Sequence, residues 1–479
     1  MSNSATSFCS RPGIQICLLL FLVTNAALYF GAENKLDEGI SLSPTFWNAS
    51  DGQRYWGVAL HVASSGEFTV PMQDNEPLSR AGPIPALVFS IPIKLFGLDN
   101  AALAIILIQC GLLLAMGLMT VFLARKLGLS EFWSFALVIL NPTLIGLVHH
   151  AQSDLLFSFL FLLVISISVW TTERFPTRVL KGLALLGLCC GILALTRGVG
   201  KYYAFVLPGL LLLMLFVSDR EIVRNVGPRS IFIGLVLYSL AFLAITTPWA
   251  IRNHVALNDY GLTQGEAIMM RDQYRFMIRQ SGSPNGSDVD SANQVALAFL
   301  ESRHLDASCV NRFKDPKCKG PLSQAYFNAI LDQGILPIVQ ALTRAWASLF
   351  FSSSASKIAK YIGQDAESIH TKAMKGSWQL SDICQHLKQA LANKPAYGFI
   401  LAVSFLYVFA SRFLGIIGFV RLIRDRDCHG YLAFFLTSGG LLVAAYMFVG
   451  VSRYRAPLEP LLALLAVAAF RNPPIQAED

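Results

Sequence analysis

Ten apolar stretches of about 15 to 25 residues constrain this chain more than any other feature. A helix needs roughly 20 apolar residues to cross a bilayer, because the hydrocarbon core is about 30 Å thick. Each stretch therefore predicts a membrane-spanning helix, and the short connections between them favour an antiparallel bundle. We predict an all-α polytopic membrane protein with spans at 13–31, 101–124, 131–148, 155–171, 181–196, 202–217, 230–248, 396–420, 431–450 and 456–470.

The composition agrees with this class. Of the 479 residues, 54% are hydrophobic and 14% are charged, and the mean hydropathy is +0.52. Soluble domains carry about 25% charged residues. The net charge of +8 therefore does not indicate nucleic-acid binding, and we expect no nucleic-acid partner. The first stretch could belong to a cleaved signal peptide, but its length and poor cleavage site favour a retained anchor.

Basic residues collect at one set of predicted helix ends. Cytoplasmic loops carry an excess of Lys and Arg, so these ends are assigned to the cytoplasm. The residues are Arg125, Lys126, Arg174, Arg178, Lys181, Arg220, Arg224, Arg229, Arg421, Arg424 and Arg426. The connection 149–154 contains no Lys or Arg and is assigned to the outer side. Both termini then lie in the cytoplasm, as an even number of crossings requires.

This topology divides the chain into three regions. Residues 1–250 form an amino-terminal transmembrane module with a first outer loop at 32–100, residues 251–395 form a second outer region, and residues 396–479 form the carboxy-terminal transmembrane helices. We expect 251–395 to begin as polar, irregular chain. The apolar segment 82–97 predicts interfacial helices, because it contains three prolines and is short for a crossing. The apolar segment 334–351 predicts a second interfacial helix. A buried helix is the alternative for 334–351.

Two aspartates stand at predicted outward helix ends. The segment "SDGQRYWGVALHVA" predicts a helix with Ser50 or Asp51 near its N-cap and with Tyr55, Val58 and Ala59 on one face. Asp154 precedes the fourth span. Each carboxylate could simply cap its helix, because a helix N-terminus favours negative charge. The alternative is a functional role, since ionisable groups at the edge of an apolar run often mark sites.

Two further features leave alternatives open. Asp51, Asp154 and His150 could bind a divalent metal, although the adjacent side chains of "HH" at 149–150 would point to different faces of a helix. Cys309 and Cys318 flank a short polar loop. In an oxidising compartment they would form a disulfide, and two free thiols are the alternative.

Several cations lie at predicted outward helix ends, where the excess of positive charge in cytoplasmic loops disfavours them. They are Arg54, Arg197, Lys201, Arg252, Arg453 and Arg455. Such side chains could extend to lipid headgroups. They could also bind phosphate, because guanidinium groups match phosphate oxygens with two parallel hydrogen bonds. Their convergence on one side of the membrane favours phosphate.

These patterns resemble the GT-C superfamily of membrane glycosyltransferases, in particular bacterial relatives of dolichyl-phosphate-mannose protein mannosyltransferases and of the lipid A aminoarabinose transferase. The likeness rests on Asp51 followed by Tyr55, and on four segments in this order: "PIPALVFSIPIKLFG" (83–97), "LALTR" (193–197), "PWAIRN" (248–253) and "SRYRAPLEPLLALLA" (452–466). The resemblance implies a GT-C-like bundle of about ten spans with interfacial helices in its outer loops.

The resemblance also implies a function. We expect an inverting hexosyl- or pentosyltransferase that moves a sugar from a polyprenyl-phosphate donor to a glycan, lipid or protein acceptor on the periplasmic face of a bacterial inner membrane. Asp51 and Asp154 would be the catalytic carboxylates: Asp51 would act as base or lie near the donor, and Asp154 would match the acidic position of the second outer loop. A divalent metal remains open. The substrate-binding residues would be Arg54, Tyr55, Arg197, Lys201, Arg252, Arg453 and Arg455. Position 52 is Gly where protein mannosyltransferases have Glu, so the acceptor stays open.

Two other functions remain as alternatives. A polymerase of lipid-linked oligosaccharides would also use lipid-linked sugars on the outer face, but it would transfer whole oligosaccharides. A lipid or sugar transporter would place charged sites near the middle of the bilayer and would show repeated halves. The spans here are mostly apolar at that depth and no repeat is visible, which favours the transferase.

Overall fold

The computed structural model describes residues 12–33, 50–70, 76–79, 81–173, 179–218, 228–263, 265–281, 288–313, 315–353, 355, 358–359 and 380–471. These residues form seventeen α-helices and a sheet of two short strands. The helices are α1 Pro12–Glu33, α2 Ser50–Ser65, α3 Ile84–Lys126, α4 Glu131–Ile139, α5 Pro142–Val148, α6 Ser153–Glu173, α7 Val179–Thr196, α8 Val199–Ser218, α9 Pro228–Leu257, α10 Glu266–Ser281, α11 Asp288–Ser302, α12 Pro316–Asp332, α13 Ile335–Phe351, α14 Leu380–Asn393, α15 Pro395–Ile423, α16 His429–Ala445 and α17 Glu459–Ala468. Strand β1 Thr69–Val70 pairs antiparallel with β2 Glu76–Pro77.

Eight of the described helices are long and apolar enough to cross a membrane. They are α1, α3, α6, α7, α8, α9, α15 and α16, the last counted with the short 3₁₀ helix before it. The number rises to ten if the pairs α4–α5 and α12–α13, bent by 49° and 102°, each form one span. The prediction of an all-α, multi-pass membrane protein is confirmed.

The segment 456–470 differs from its prediction as a long crossing. A 3₁₀ helix, Ser452–Leu458, precedes α17, which has only 10 residues. Ten helical residues extend about 15 Å, half of the hydrocarbon thickness. Pro457 and Pro460 account for the break, because proline lacks the N–H that an interior helical position donates.

Residues 251–395, predicted to form an outer region, are helical over most of their described part, contrary to the expected irregular start. Helix α9 continues past Pro248 to Leu257, and α10 to α13 follow it. These helices share a second apolar core, which includes the buried side chains of Tyr274, Leu322 and Tyr326. The region could therefore not be recognised from polarity alone, because its core is built from scattered apolar residues of short amphipathic helices.

The disulfide that the sequence left open is present in the structure. Cys309 and Cys318 are bonded, and both are buried in the second apolar core. The bridge joins a 3₁₀ helix, Ala307–Asn311, to the first turn of α12. It therefore closes the polar loop against the helices that flank it.

Two glycines allow sharp changes of direction near the predicted interfacial helices. Gly97 has φ 73° and separates the segment 84–96 from the rest of α3, and Gly334 has φ 79° between α12 and α13. Glycine adopts such angles at little cost because it lacks a Cβ atom. Both predicted interfacial segments are helices: the first ends at Gly97, and the second begins directly after Gly334.

Ionic contacts show that basic helix ends share one end of the bundle, which we call the basic end. Lys126 of α3 lies 2.6 Å from Glu173 Oε2 at the end of α6, and the Tyr431 hydroxyl of α16 donates to Glu173. Arg421 of α15 donates to the Arg471 carbonyl oxygen. Because α6 and α7 are antiparallel, the connection between α7 and α8 lies at the opposite end, which we call the site end.

Candidate active site

Asp154 and Arg197 form a buried ion pair at the site end. Asp154 lies in the first turn of α6, and Arg197 directly follows α7, so the antiparallel helices bring the two side chains together. The Arg197 Nη1 atom donates to Asp154 Oδ1, and the exposed fractions are 15% and 3%. Burial alone would lower the pKa of Arg197, but the carboxylate raises it well above its usual value. The guanidinium group therefore stays charged.

Three aromatic rings surround the Arg197 guanidinium group. Its Cζ atom lies 5.8, 5.7 and 5.2 Å from the ring centroids of Phe157, Tyr446 and Tyr454. The two tyrosine rings stack on each other with centroids 4.2 Å apart. Such rings attract a cation through their negative faces. The three rings restrict the guanidinium group, which could otherwise rotate about its contact with one carboxylate.

Helix α2 contacts the residue next to this ion pair. The Tyr55 hydroxyl donates to Ser153 Oγ over 3.0 Å, next to Asp154. Tyr55, Val58 and Ala59 are buried, which confirms the predicted face of α2. In the sequence, Asp51 lies four residues before Tyr55, about one helical turn. The side chain of Asp51 lies outside the described residues.

A cavity of about 400 Å³ opens beside the ion pair. Three predicted residues, Arg54, Arg197 and Lys201, line it. Helix α10 adds Arg271 and Arg275, which the sequence analysis did not single out. The signal available for them was "RDQYR", in which two arginines are separated by one helical turn, but the segment lay in a region that we expected to be irregular.

Carboxylates balance part of this positive charge. Lys201 pairs with Glu266 at the start of α10, and Asp272 lies 3.7 Å from Arg271 and 3.3 Å from Arg275. Burial alone would raise the pKa of Glu266, but its hydrogen bonds with Lys201 and then Lys319 lower it below its usual value. Glu266 is therefore ionised at neutral pH.

An apolar crevice of about 240 Å³ adjoins the cavity between α8 and α16. It shares Val199, Tyr202 and Met269 with the cavity wall, and Val206 and Leu442 continue it along the helices. A charged cavity joined to an apolar crevice can accommodate an amphiphile with an anionic head.

Arg453 lies beside the cavity. Its Nη2 atom donates to the Tyr454 hydroxyl over 2.9 Å, and its Cζ atom lies 4.8 Å from the Tyr454 ring centroid. Tyr454 lines the cavity and also contacts Arg197. Arg453 is thus separated from Arg197 by one aromatic ring.

The structure places Arg252 apart from these residues. Its guanidinium donates to the carbonyl oxygens of Leu78 and Phe68 over 2.8 and 2.7 Å, and its Cζ atom lies 4.6 Å from the Trp249 ring centroid. Arg252 therefore ties the β1–β2 hairpin to α9. It is not among the residues that line the cavity.

Arg455 is likewise remote from the cavity lining. It is fully buried and donates to Glu459, to the carbonyl oxygens of Leu349 and Ser352, and to Thr143. Arg412 donates to the same Glu459 carboxylate over 2.7 Å. This network attaches the end of α13 to the bundle. The sequence shows only that Arg455 lies near a helix end, so it could not show that Arg455 has this structural contact and does not face the cavity.

The described residues contain no group of three or more His, Cys, Asp or Glu side chains that could hold a metal ion. His150 is buried beside α3, where Gln109 donates to its carbonyl oxygen. The metal hypothesis also involved Asp51, whose side chain lies outside the described set. Metal binding therefore stays a prediction.

Comparison with protein-family models finds no match, and no curated protein matches. Solved structures do match, at 11–15% identity. An oligosaccharyltransferase of Archaeoglobus fulgidus in complex with Zn and sulfate matches with a TM-score of 0.44 and 13% identity, over 86% of this chain and 44% of that chain. ArnT of Cupriavidus metallidurans bound to undecaprenyl phosphate matches with a TM-score of 0.39 and 15% identity, over 93% of this chain and 77% of that chain.

A further structure of the archaeal enzyme, AglB with an inhibitory peptide and a dolichol-phosphate, matches with a TM-score of 0.44 and 11% identity, over 92% of this chain and 49% of that chain. The chain thus spans about half the length of the archaeal enzyme. At these identities and TM-scores, the matches carry no conclusion about the activity of this chain.

Proposed function

We propose that this protein is an inverting glycosyltransferase that uses a polyprenyl-phosphate sugar at the site-end cavity. One observation carries the proposal: the cavity combines five cationic side chains with an adjoining apolar crevice, next to the buried Asp154–Arg197 pair. This combination suits a lipid phosphate. The basic end would face the cytoplasm, and the cavity would face the periplasm of a bacterial inner membrane.

The donor would bind through both of its parts. Arg54, Arg197 and Lys201 would hold the phosphate, and Arg453 would add to the positive potential behind Tyr454. The first isoprene units would lie in the crevice between α8 and α16. Fixed cations stabilise the negative charge that grows on the departing phosphate, because they need no rearrangement during the reaction.

Asp51 would act as the catalytic base. Its carboxylate would take the proton of the acceptor hydroxyl while that oxygen forms a bond to the anomeric carbon. The bond between the anomeric carbon and the phosphate oxygen breaks, and its electron pair leaves with polyprenyl phosphate. An ordinary aspartate, with a pKa near about 4, is already ionised at neutral pH, so positioning matters most. Asp154 would orient Arg197.

The test offers radiolabelled polyprenyl-phosphate hexoses and pentoses to membranes with and without the protein. We expect one labelled sugar to leave the lipid, and Asp51→Asn to reduce transfer by about 10²–10⁴-fold. Asp99→Asn, which alters an exposed aspartate on α3, is the matched control and should transfer normally. An arm with a chelator and added Mn²⁺ tests the metal hypothesis.

The products decide between the candidate functions. Transfer of a single sugar supports the transferase, and transfer of an intact oligosaccharide would indicate a polymerase. Near-normal turnover in Asp51→Asn would remove this residue from catalysis. If sugar crosses the membrane without leaving its lipid, the protein is a transporter.

A further inference from the structure

Glu266 is shared by two lysines from different parts of the chain. Lys201 on α8 forms an ion pair with its Oε1 atom, and Lys319 on α12 lies 2.9 Å from its Oε2 atom. Lys319 also lies 3.6 Å from Asp259 Oδ2, in the connection after α9. The four groups therefore form a line of alternating charge from α8 through α10 and α12 to that connection.

Only two of these four groups, Lys201 and Glu266, line the cavity. A phosphate that reaches the Lys201 ammonium group must therefore approach the Glu266 carboxylate as well. Two unit charges about 4 Å apart interact by several kcal/mol near a protein surface. The carboxylate and the phosphate thus repel each other while both attract the same ammonium group.

Lys319 makes an exchange of partners feasible. When Lys201 turns toward a phosphate, Glu266 still has a cation at hydrogen-bonding distance and does not become an isolated, half-buried charge. Lys319 in turn keeps Asp259 as a second anion. Lys201 can therefore leave Glu266 at a smaller cost than in an isolated ion pair.

Building on the proposed donor site, we infer that Glu266 competes with the lipid phosphate for Lys201 and thereby sets the affinity of the cavity. The carboxylate weakens binding of every anionic headgroup. It weakens binding of the dianionic product more than that of the monoanionic donor, because the product carries the larger charge. Glu266 would thus promote product release, and Lys319 would oppose Glu266 by holding it away from Lys201.

The experiment measures the Kd of undecaprenyl phosphate for the full-length protein in nanodiscs, so that no turnover is needed. We expect Glu266→Gln to lower this Kd by about tenfold. Lys319→Gln should raise it, because Glu266 then pairs with Lys201 alone. Glu301→Gln, which removes an exposed carboxylate on α11, should leave it unchanged. A parallel titration with inorganic phosphate separates the contribution of the headgroup to binding from that of the isoprenoid chain.

Opposite shifts in the two variants support the inference, because a loss of structure would weaken binding in both. Equal Kd values in Glu266→Gln and the wild type would overturn it, even if sugar transfer proceeds. Shifted Kd values without any sugar transfer would uphold the competition of Glu266 with the phosphate for Lys201, and would overturn the proposed transferase together with the role of Glu266 in product release. If no variant binds the lipid phosphate, both proposals fail.

Discussion

Asp154 and Arg197 depend on each other more than any other pair at the cavity, since the carboxylate is 3% exposed and the guanidinium 15%. We expect Asp154→Asn to lower the free energy of unfolding by about 3 kcal/mol, because it leaves a buried cation without its counter-ion. Thermal or denaturant unfolding of the purified protein measures this loss. Sugar transfer should also fall, because Arg197 loses its orientation.

Ser153→Ala is the control for this substitution. It removes the hydrogen bond from the Tyr55 hydroxyl to Ser153 Oγ and leaves the ion pair in place, so the expected loss is about 1 kcal/mol. If the two variants were equally stable, the ion pair would contribute no more than a neutral hydrogen bond.

The ion pairs of Glu266 should contribute to the free energy of unfolding in a pH-dependent way. Its pKa in the folded protein is below the usual value of 4.5, so its ion pairs stabilise the fold fully above that value and are lost as the pH falls through the lowered pKa. The groups that face it are Lys201 and Tyr202 on α8 and Lys319 on α12. The wild type should melt higher than Glu266→Gln at pH 7, and the difference should shrink below about pH 5. A difference that is constant with pH would contradict this.

At the residue scale, the sequence predicted a set of cations at outward helix ends but could not separate their roles. Arg197 and Arg252 each follow an apolar run that ends at the same side, yet one faces the cavity and the other holds two backbone carbonyls. The difference depends on which loop passes each helix end. Arg271 and Arg275 were missed because their own helix was not predicted.

At the scale of elements, the hairpin of the first outer loop depends on α9. Arg252→Met removes the two donors that hold the carbonyl oxygens of Phe68 and Leu78. Hydrogen bonds from charged groups contribute about 1.5–3 kcal/mol, so we expect the Leu78 amide to exchange with solvent at least about tenfold faster. Hydrogen–deuterium exchange with mass spectrometry measures this.

Arg279→Met is the matched control, because this arginine on α10 is exposed and its Cζ atom lies 5.8 Å from the ring centroid of the neighbouring Phe276. Its exchange in the hairpin should equal that of the wild type. Should Arg252→Met leave exchange unchanged but weaken binding of undecaprenyl phosphate, the phosphate role expected from the sequence would be restored.

Helix α13 shows why the interfacial elements were only partly predictable. Its apolar sequence indicated a short helix, and Ile335 and Leu336 are exposed as an interfacial helix requires. The sequence did not show how α13 is attached to the bundle, because the attachment uses backbone carbonyl oxygens at the C-terminus of the helix, which carry partial negative charge. Arg412 and Arg455 donate to those carbonyls, and the network has two cations for one carboxylate, Glu459.

At the scale of the whole molecule, eight of the ten predicted spans correspond to long apolar helices and a ninth, 131–148, to the bent pair α4–α5, because each span must be apolar over the thickness of the bilayer. The grouping of basic helix ends was also predictable, and contacts such as Lys126 with Glu173 agree with it. The outer helices were not predictable in this way. Their shared core depends on packing between α10, α12 and α13, which no single window of sequence contains.

The shared basic end leads to a prediction about orientation. If the positive-inside rule applies, Arg424 at the basic end faces the cytoplasm, and the α10–α13 region faces the opposite compartment. The Cys309–Cys318 disulfide favours the same orientation, because disulfides persist outside the reducing cytoplasm.

Leu305, next to the bridged loop, is 41% exposed and therefore suits a reporter cysteine. We expect a membrane-impermeant maleimide to label Leu305→Cys in cells with a permeabilised outer membrane.

Arg424→Cys is the matched reporter for the opposite side, since it is exposed and follows the last turn of α15. It should react only after the inner membrane is also permeabilised, and the wild-type protein gives the background from its own cysteines. Labelling of Arg424→Cys in intact spheroplasts, with Leu305→Cys protected, would reverse the orientation. The cavity and its cations would then face the cytoplasm, and a periplasmic acceptor would be excluded.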